Sequence, residues 1–176
     1  KKKKAITLLR KELIHFPKSS QLLYFLGLML EEEGSWKESI ELVKNILRID
    51  NKDANAHNFI GYTLIIHSKN FSEARYHLTK AVSIAPDNGY ILDSFGWLNY
   101  KENKYQEARF YLAKAHNYEP EEVPILEHLA LCYYKLGLFT KMKQVLEKLK
   151  QIDPELKKVS SELTEVLAQK KISLTD

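Results

Sequence analysis

Residues 105–120 read YQEARFYLAKAHNYEP, and residues 71–86, 34 positions earlier, read FSEARYHLTKAVSIAP. Each stretch opens on an aromatic (Tyr105, Phe71), sets a small residue at Ala108 or Ala74, and follows with Leu112–Ala115 or Leu78–Ala81. Steps of four and three residues put these side chains on one stripe of a helix. Pro120 and Pro86 then close the stretch, because proline lacks an amide donor and restricts the residue before it. A third copy carries Met142, Leu146, Leu149 and Pro154, and an earlier one carries Ser39, Val43 and Ile46 with Asn51 in place of the proline.

Working outward from that stripe, the preceding half of each unit also recurs. Leu26-Gly27, Ile60-Gly61, Phe95-Gly96 and Leu129-Ala130 each set a large residue beside a tiny one, which lets two helix backbones approach closely. Trp36, Phe71, Tyr105 and Phe139 are predicted to wedge between the two helices of their own hairpin. Gly34, Asn103 and Gly137 supply residues that tolerate the left-handed conformation at a helix end. One unit has an extra residue in His67-Ser68-Lys69-Asn70, expected to lengthen that turn without shifting either helix face.

A period near 34 built from two helices resembles the tetratricopeptide-repeat (TPR) family over nearly the whole chain. The resemblance implies an all-α, right-handed superhelical solenoid of helix-turn-helix repeats. The units fall at 20–53, 54–88, 89–122 and 123–156. Residues 1–19 read as the second helix of a truncated repeat, with Ala5, Leu9 and Pro17 in the second-helix pattern, so a piece of a longer array is expected. Ile6, Leu9 and Leu13 would then form an exposed apolar strip open to self-association through the N-terminal end. Residues 157–176 are expected to hold a C-terminal capping helix and tail, its stripe formed by Leu156, Val159, Leu163, Val166 and Leu167. A narrower resemblance lies in PDNGYILDSFGW at 86–97, which is similar to a stretch common in bacterial TPR scaffold and adaptor proteins, some of them envelope lipoproteins. That implies a bacterial cytoplasmic or periplasmic setting, the latter with a lipid anchor on the full-length protein.

Composition narrows the function classes. The 27 basic and 23 acidic residues are interleaved, which argues against nucleic acid as a partner. Local excess occurs at Lys1 to Lys4 and among Lys135, Lys141, Lys143, Lys148, Lys150, Lys157 and Lys158, read as solvated faces. The apolar run from Leu22 to Leu30 is too short for a transmembrane segment. The one cysteine, Cys132, sits between Leu131 and Tyr133 and reads as inert and buried. Six histidines show no ligand-spaced pair on one helix, and His116 and His128 straddle a turn between repeats. With no phosphate-cradling loop or nucleophile elbow, no cofactor, metal or catalytic residue is assigned, and an enzyme is not expected.

Family geometry implies that positions 2, 5, 9 and 12 of each unit face a concave groove. Those are Gln21, Tyr24, Leu28 and Glu31; Asn55, Asn58, Tyr62 and Ile65; Tyr90, Asp93, Trp97 and Tyr100; and Pro124, Glu127, Leu131 and Tyr134. Aromatic residues give large contact area for little entropy loss, so Tyr24, Tyr62, Tyr90, Trp97, Tyr100 and Tyr134 are the expected anchors of a peptide-binding site, with Leu131 between them. Asn55 and Asn58 suit a peptide backbone. TPR domains that clamp acidic chaperone tails carry lysine, asparagine and arginine where this chain has Tyr24, Leu28, Asp93 and Ser94, and Asp93 with Glu127 favours a neutral or basic ligand. The expected function is a scaffold or adaptor that binds a protein or peptide partner in this groove. The alternative is an assembly subunit that uses its convex face or its ends.

Overall fold

The computed structural model describes residues 2–157 and 159–170, with side chains through Ala168. Lys1, Lys158 and residues 171–176, parts of the expected basic runs and tail, lie outside the described residues. Ten helices and no strand occur among the described residues. They fall into two compact units, Lys1–Pro86 and Asp87–Asp176.

The first unit contains α1 (Lys2–His15), α2 (Ser20–Glu32), α3 (Trp36–Ile49), α4 (Ala54–His67) and α5 (Phe71–Ile84). Side-chain oxygens of Ser19, Asp53 and Asn70 accept the amides of Leu22, Ala56 and Glu73, satisfying donors that a helix start leaves unpaired. Helices α2 and α3 pair as one hairpin and α4 and α5 as another, with α3 against α4 and α1 against α2. Close approach is carried by Gly27 and Gly61. A Cβ on Gly27 would lie 2.6 Å from Val43, and one on Gly61 would lie 2.5 Å from Leu78. Ser39, which stands where the next two repeats have alanine, donates its hydroxyl to the Gly27 carbonyl at 2.7 Å, so the hairpin is pinned by a buried hydrogen bond.

The second unit contains α6 (Gly89–Lys101), α7 (Tyr105–Tyr118), α8 (Val123–Lys135), α9 (Phe139–Ile152) and α10 (Ser161–Lys170). Hairpins α6–α7 and α8–α9 pack with α7 against α8 and α6 against α8. Asn88 caps α6 by accepting the Ile91 amide. Leu112 and Leu146 are sealed in the two hairpin cores. Cys132 is buried in the α8 core with its thiol pushed up to about 12 by that burial, so it stays protonated and unreactive.

Several expectations need correction. The extra residue in the second repeat does not lengthen its turn. Helix α4 has 14 residues where α2, α6 and α8 have 13. The turn remains Ser68, Lys69 and Asn70, with Lys69 in the left-handed position (φ 55°) that Gly34, Asn103 and Gly137 hold elsewhere. Adding one residue to a helix end keeps Ala74 and Leu78 buried, whereas a longer loop would cost ordering entropy. Trp36 also stacks on His67 of the following helix at 5.8 Å, while Tyr105 and Phe139 meet Tyr100 and Tyr134 of their own hairpins. Ile6, Leu9 and Leu13 are half-buried against α2, and the exposed apolar side chains near that end are Leu8, Ile14 and Phe16. Leu156 belongs to the turn before the terminal helix, at φ 49°, and α10 begins only at Ser161.

Candidate functional site

The expected groove residues divide between the two units. In the first unit, α2 and α4 bring Tyr24, Phe25 and Asn55 to an open hollow of about 360 Å³, whose rim also includes Gln21, Ile46 and Asp53. Tyr24 is half-buried and meets Phe59 edge-on at 5.7 Å, while Asn55 and Phe25 are exposed. Burial, together with the Asp53 charge, pushes the Tyr24 phenol up, so it remains a neutral donor and acceptor. Asn58 is half-buried and its Oδ1 accepts no hydrogen bond. A buried acceptor without a donor is costly. Tyr62 lies half-buried on the same helix.

In the second unit the arrangement is closed. Trp97 is 5% exposed. It stacks on His128 at 3.9 Å and on Tyr100 at 4.7 Å, with the Lys101 Nζ 4.1 Å from its ring centroid. The His128 Nδ1 donates to both oxygens of Asp93, at 2.9 and 3.0 Å, so this acid is spent inside the fold. Leu131 is sealed, and Glu127 is buried with its carboxylate accepting the Ser160 amide at 3.0 Å. Tyr90 is exposed at the start of α6 and donates to Glu122 at 3.0 Å, and Tyr134 is half-buried near the end of α8.

Helix α10 lies on part of this face. It packs on α8, and its first turn reaches α6: Glu162 accepts from the Tyr100 hydroxyl and from the Lys101 Nζ, both at 2.8 Å. Burial opposes ionisation of Glu162, but the bonds from Lys101 and Tyr100, with the positive charge of Lys135, outweigh it and hold the carboxyl below its usual value. Leu163 and Val166 supply the apolar contact at 0% and 8% exposure. The contacts that hold α10 include those of Lys101, Ser160 and Glu162, none of which the repeat positions select. An acidic residue in the first turn of a helix reads in sequence only as a partner for the helix dipole.

The first unit holds a second pair that spacing could not disclose. His57 and His77, 20 residues apart on α4 and α5, bring their Nδ1 atoms to 2.9 Å. Among the described residues no group of three histidine, cysteine or acidic side chains is placed to hold a metal ion. Burial, then the neighbouring His57 and Lys44, lowers the His77 value to about 4. A histidine depressed in the fold binds its proton more readily when unfolded, so stability is present above the ordinary value of 6.5 and is lost as pH falls toward 4. Between pH 7 and pH 5 the loss should be on the order of 2 kcal/mol, several degrees in the thermal midpoint. His77→Gln should flatten that dependence, and an equally steep profile in the variant would assign the loss elsewhere.

No helix among the described residues is long and apolar enough to cross a membrane. The tetratricopeptide-repeat family profile matches residues 99–169. TPR repeat-containing protein PA4667 of Pseudomonas aeruginosa is 31% identical over 101 residues, 57% of this chain and 17% of that protein, so the chain spans a small part of that relative. Among solved structures, TTC0263, a thermophilic TPR protein of Thermus thermophilus, superposes with a TM-score of 0.77 at 17% identity, over 96% of this chain and 89% of that one. YrrB, a TPR protein with an unusual peptide-binding site, gives 0.65 at 16% identity over 83% and 75%. The 34-residue pattern, the paired helices that it folds into and these likenesses agree: the chain has the tetratricopeptide-repeat fold, and its residues 99–169 match the family's profile.

Proposed function

We propose that this protein is an interaction scaffold that binds an extended peptide or a partner helix on the faces of its first helices. TPR arrays are protein–protein interaction scaffolds, and the finer assignment to these faces rests on one observation. The first-helix face of the second unit already holds a helix, α10, through side chains that include Tyr100 and Glu127. The hollow beside Tyr24 and Asn55 offers the first unit's counterpart, with an aromatic wall of Tyr24 and Phe25. YrrB, similar in fold, is a TPR protein with a peptide-binding site, which is consistent with this use.

The test is affinity capture with the complete chain followed by titration of the captured partner. Tyr24→Ala should weaken binding about tenfold or more, as truncating an aromatic anchor does. Asn58→Ala should weaken it by a smaller factor. Unchanged affinity in both, with loss on Phe110→Ala of α7 or Ile14→Ala of α1, would overturn the groove and assign binding to the second-helix face or the N-terminal end. Both of those side chains are exposed.

A further inference from the structure

The described part of helix α10 has ten residues, and an isolated helix of fewer than roughly 12 to 15 is marginal in water, so its docking contributes to its stability. Its docking is sparse: Leu163 and Val166 are its buried side chains among those described, and most of the rest face solvent. Elements with few buried contacts open at low free energy. The site beneath is also imperfectly satisfied. The Trp97 indole N–H is buried and donates to nothing, although it lies in the same stack as Tyr100, which binds α10. An occupant that supplied an acceptor there would remove a penalty that α10 leaves in place. With Asp93 bound by His128 and the Glu127 carboxylate committed to the Ser160 amide, the cations facing α10's first turn are those of Lys101 and Lys135, which take the Glu162 carboxylate. This reverses the preference for a neutral or basic ligand that Asp93 and Glu127 suggest in sequence.

We propose that α10 is a displaceable resident of the second unit's first-helix face, and that the partner displacing it is a helical segment with a first-turn carboxylate for Lys101 and Tyr100 and two aliphatic side chains where Leu163 and Val166 sit. The proposal rests on the reading of these faces as binding surfaces and adds the chemistry and the regulation of one of them. Ser160 begins the recognised pattern. Its hydroxyl accepts the Leu163 amide while its own amide is taken by Glu127, so the groove reads the capped start of a helix rather than an extended strand. A tether as short as the turn between α9 and α10 gives the resident an effective concentration on the order of millimolar, enough to mask the site from a ligand of micromolar affinity.

The experiment uses the complete chain and a fluorescein-labelled peptide of residues 157–170. The wild-type chain should bind it poorly, and the Glu162→Arg chain, whose own helix is repelled by Lys101, should bind it at least tenfold more tightly. Adding Lys101→Glu to Glu162→Arg restores an opposite-charge pair and should again exclude the peptide. A peptide carrying Glu162→Gln should lose affinity for the opened chain. In a Trp36→Phe background, Trp97 emission should shift to the red in Glu162→Arg, with circular dichroism confirming that the repeats stay folded. Equal binding by wild type and Glu162→Arg, no binding by Glu162→Arg, or indifference to the peptide's carboxylate would each overturn the proposal. The partner titration against Tyr24→Ala in the first unit reads the broader assignment separately, so either can fail while the other stands.

Discussion

Gly96→Val is expected to lower the thermal midpoint by about 6 to 12 °C, the shift that about 3 kcal/mol produces in a chain of this size. Gly96 lies where α6 crosses α7. A Cβ there would sit 2.7 Å from Leu112 Cγ, 2.8 Å from its Cδ2 and 3.1 Å from its backbone nitrogen. The side-chain contacts could ease by rotation of Leu112, but the backbone contact cannot, so the two helices must part and the seal around a leucine with no exposed surface is lost. Gly137→Ala is the control. That glycine has φ 70° with nothing within 4 Å of its would-be Cβ, so its replacement adds left-handed strain of about 1 kcal/mol and no clash. Melts followed by circular dichroism give both numbers. Equal shifts in the two variants would mean that the small residue beside Phe95 serves the backbone conformation and not the helix crossing.

The same contrast explains what could be read from the sequence. A tiny residue beside a large one, repeated near every 34 positions, records a steric constraint that holds whatever the neighbours are, so hairpin pairing and the stripes of Ala74, Leu78 and Ala81 were legible. The extra residue of the second repeat was visible, but not its destination, because Lys69 carries none of glycine's advantage in a left-handed turn and takes that position only since α4 runs one residue longer. The groove was legible as a face and not as a site. Positions 93, 97, 100 and 127 do share a surface in the second unit, yet the partners that decide their chemistry, His128 against Asp93 and Glu162 against Tyr100, lie 35 and 62 residues away. Periodicity within a repeat carries no information about such contacts. The meeting of His57 and His77 was hidden for the same reason.

Trp97→Ala is the second large effect, and here the structure alters what the sequence leads one to expect. As an open groove anchor, Trp97 could be truncated with the helices left intact. At 5% exposure, stacked on both His128 and Tyr100 and covered by the Lys101 ammonium, it belongs to the core of the second unit. Truncating a buried tryptophan leaves a cavity that costs about 3 to 5 kcal/mol, and the midpoint should fall by about 6 to 20 °C. Tyr100→Phe separates this packing role from the polar contact with α10. It keeps the ring in the stack and removes only the hydroxyl that donates to Glu162, a loss of about 1 to 3 kcal/mol for a bond to a charged group. Its effect should appear in the docking of α10, as easier entry of the 157–170 peptide, more than in the melting of the repeats. If Trp97→Ala instead melts within about 2 °C of wild type, the stack beneath α10 contributes little to the fold, and Trp97 reverts to the part of a surface anchor waiting for a ligand.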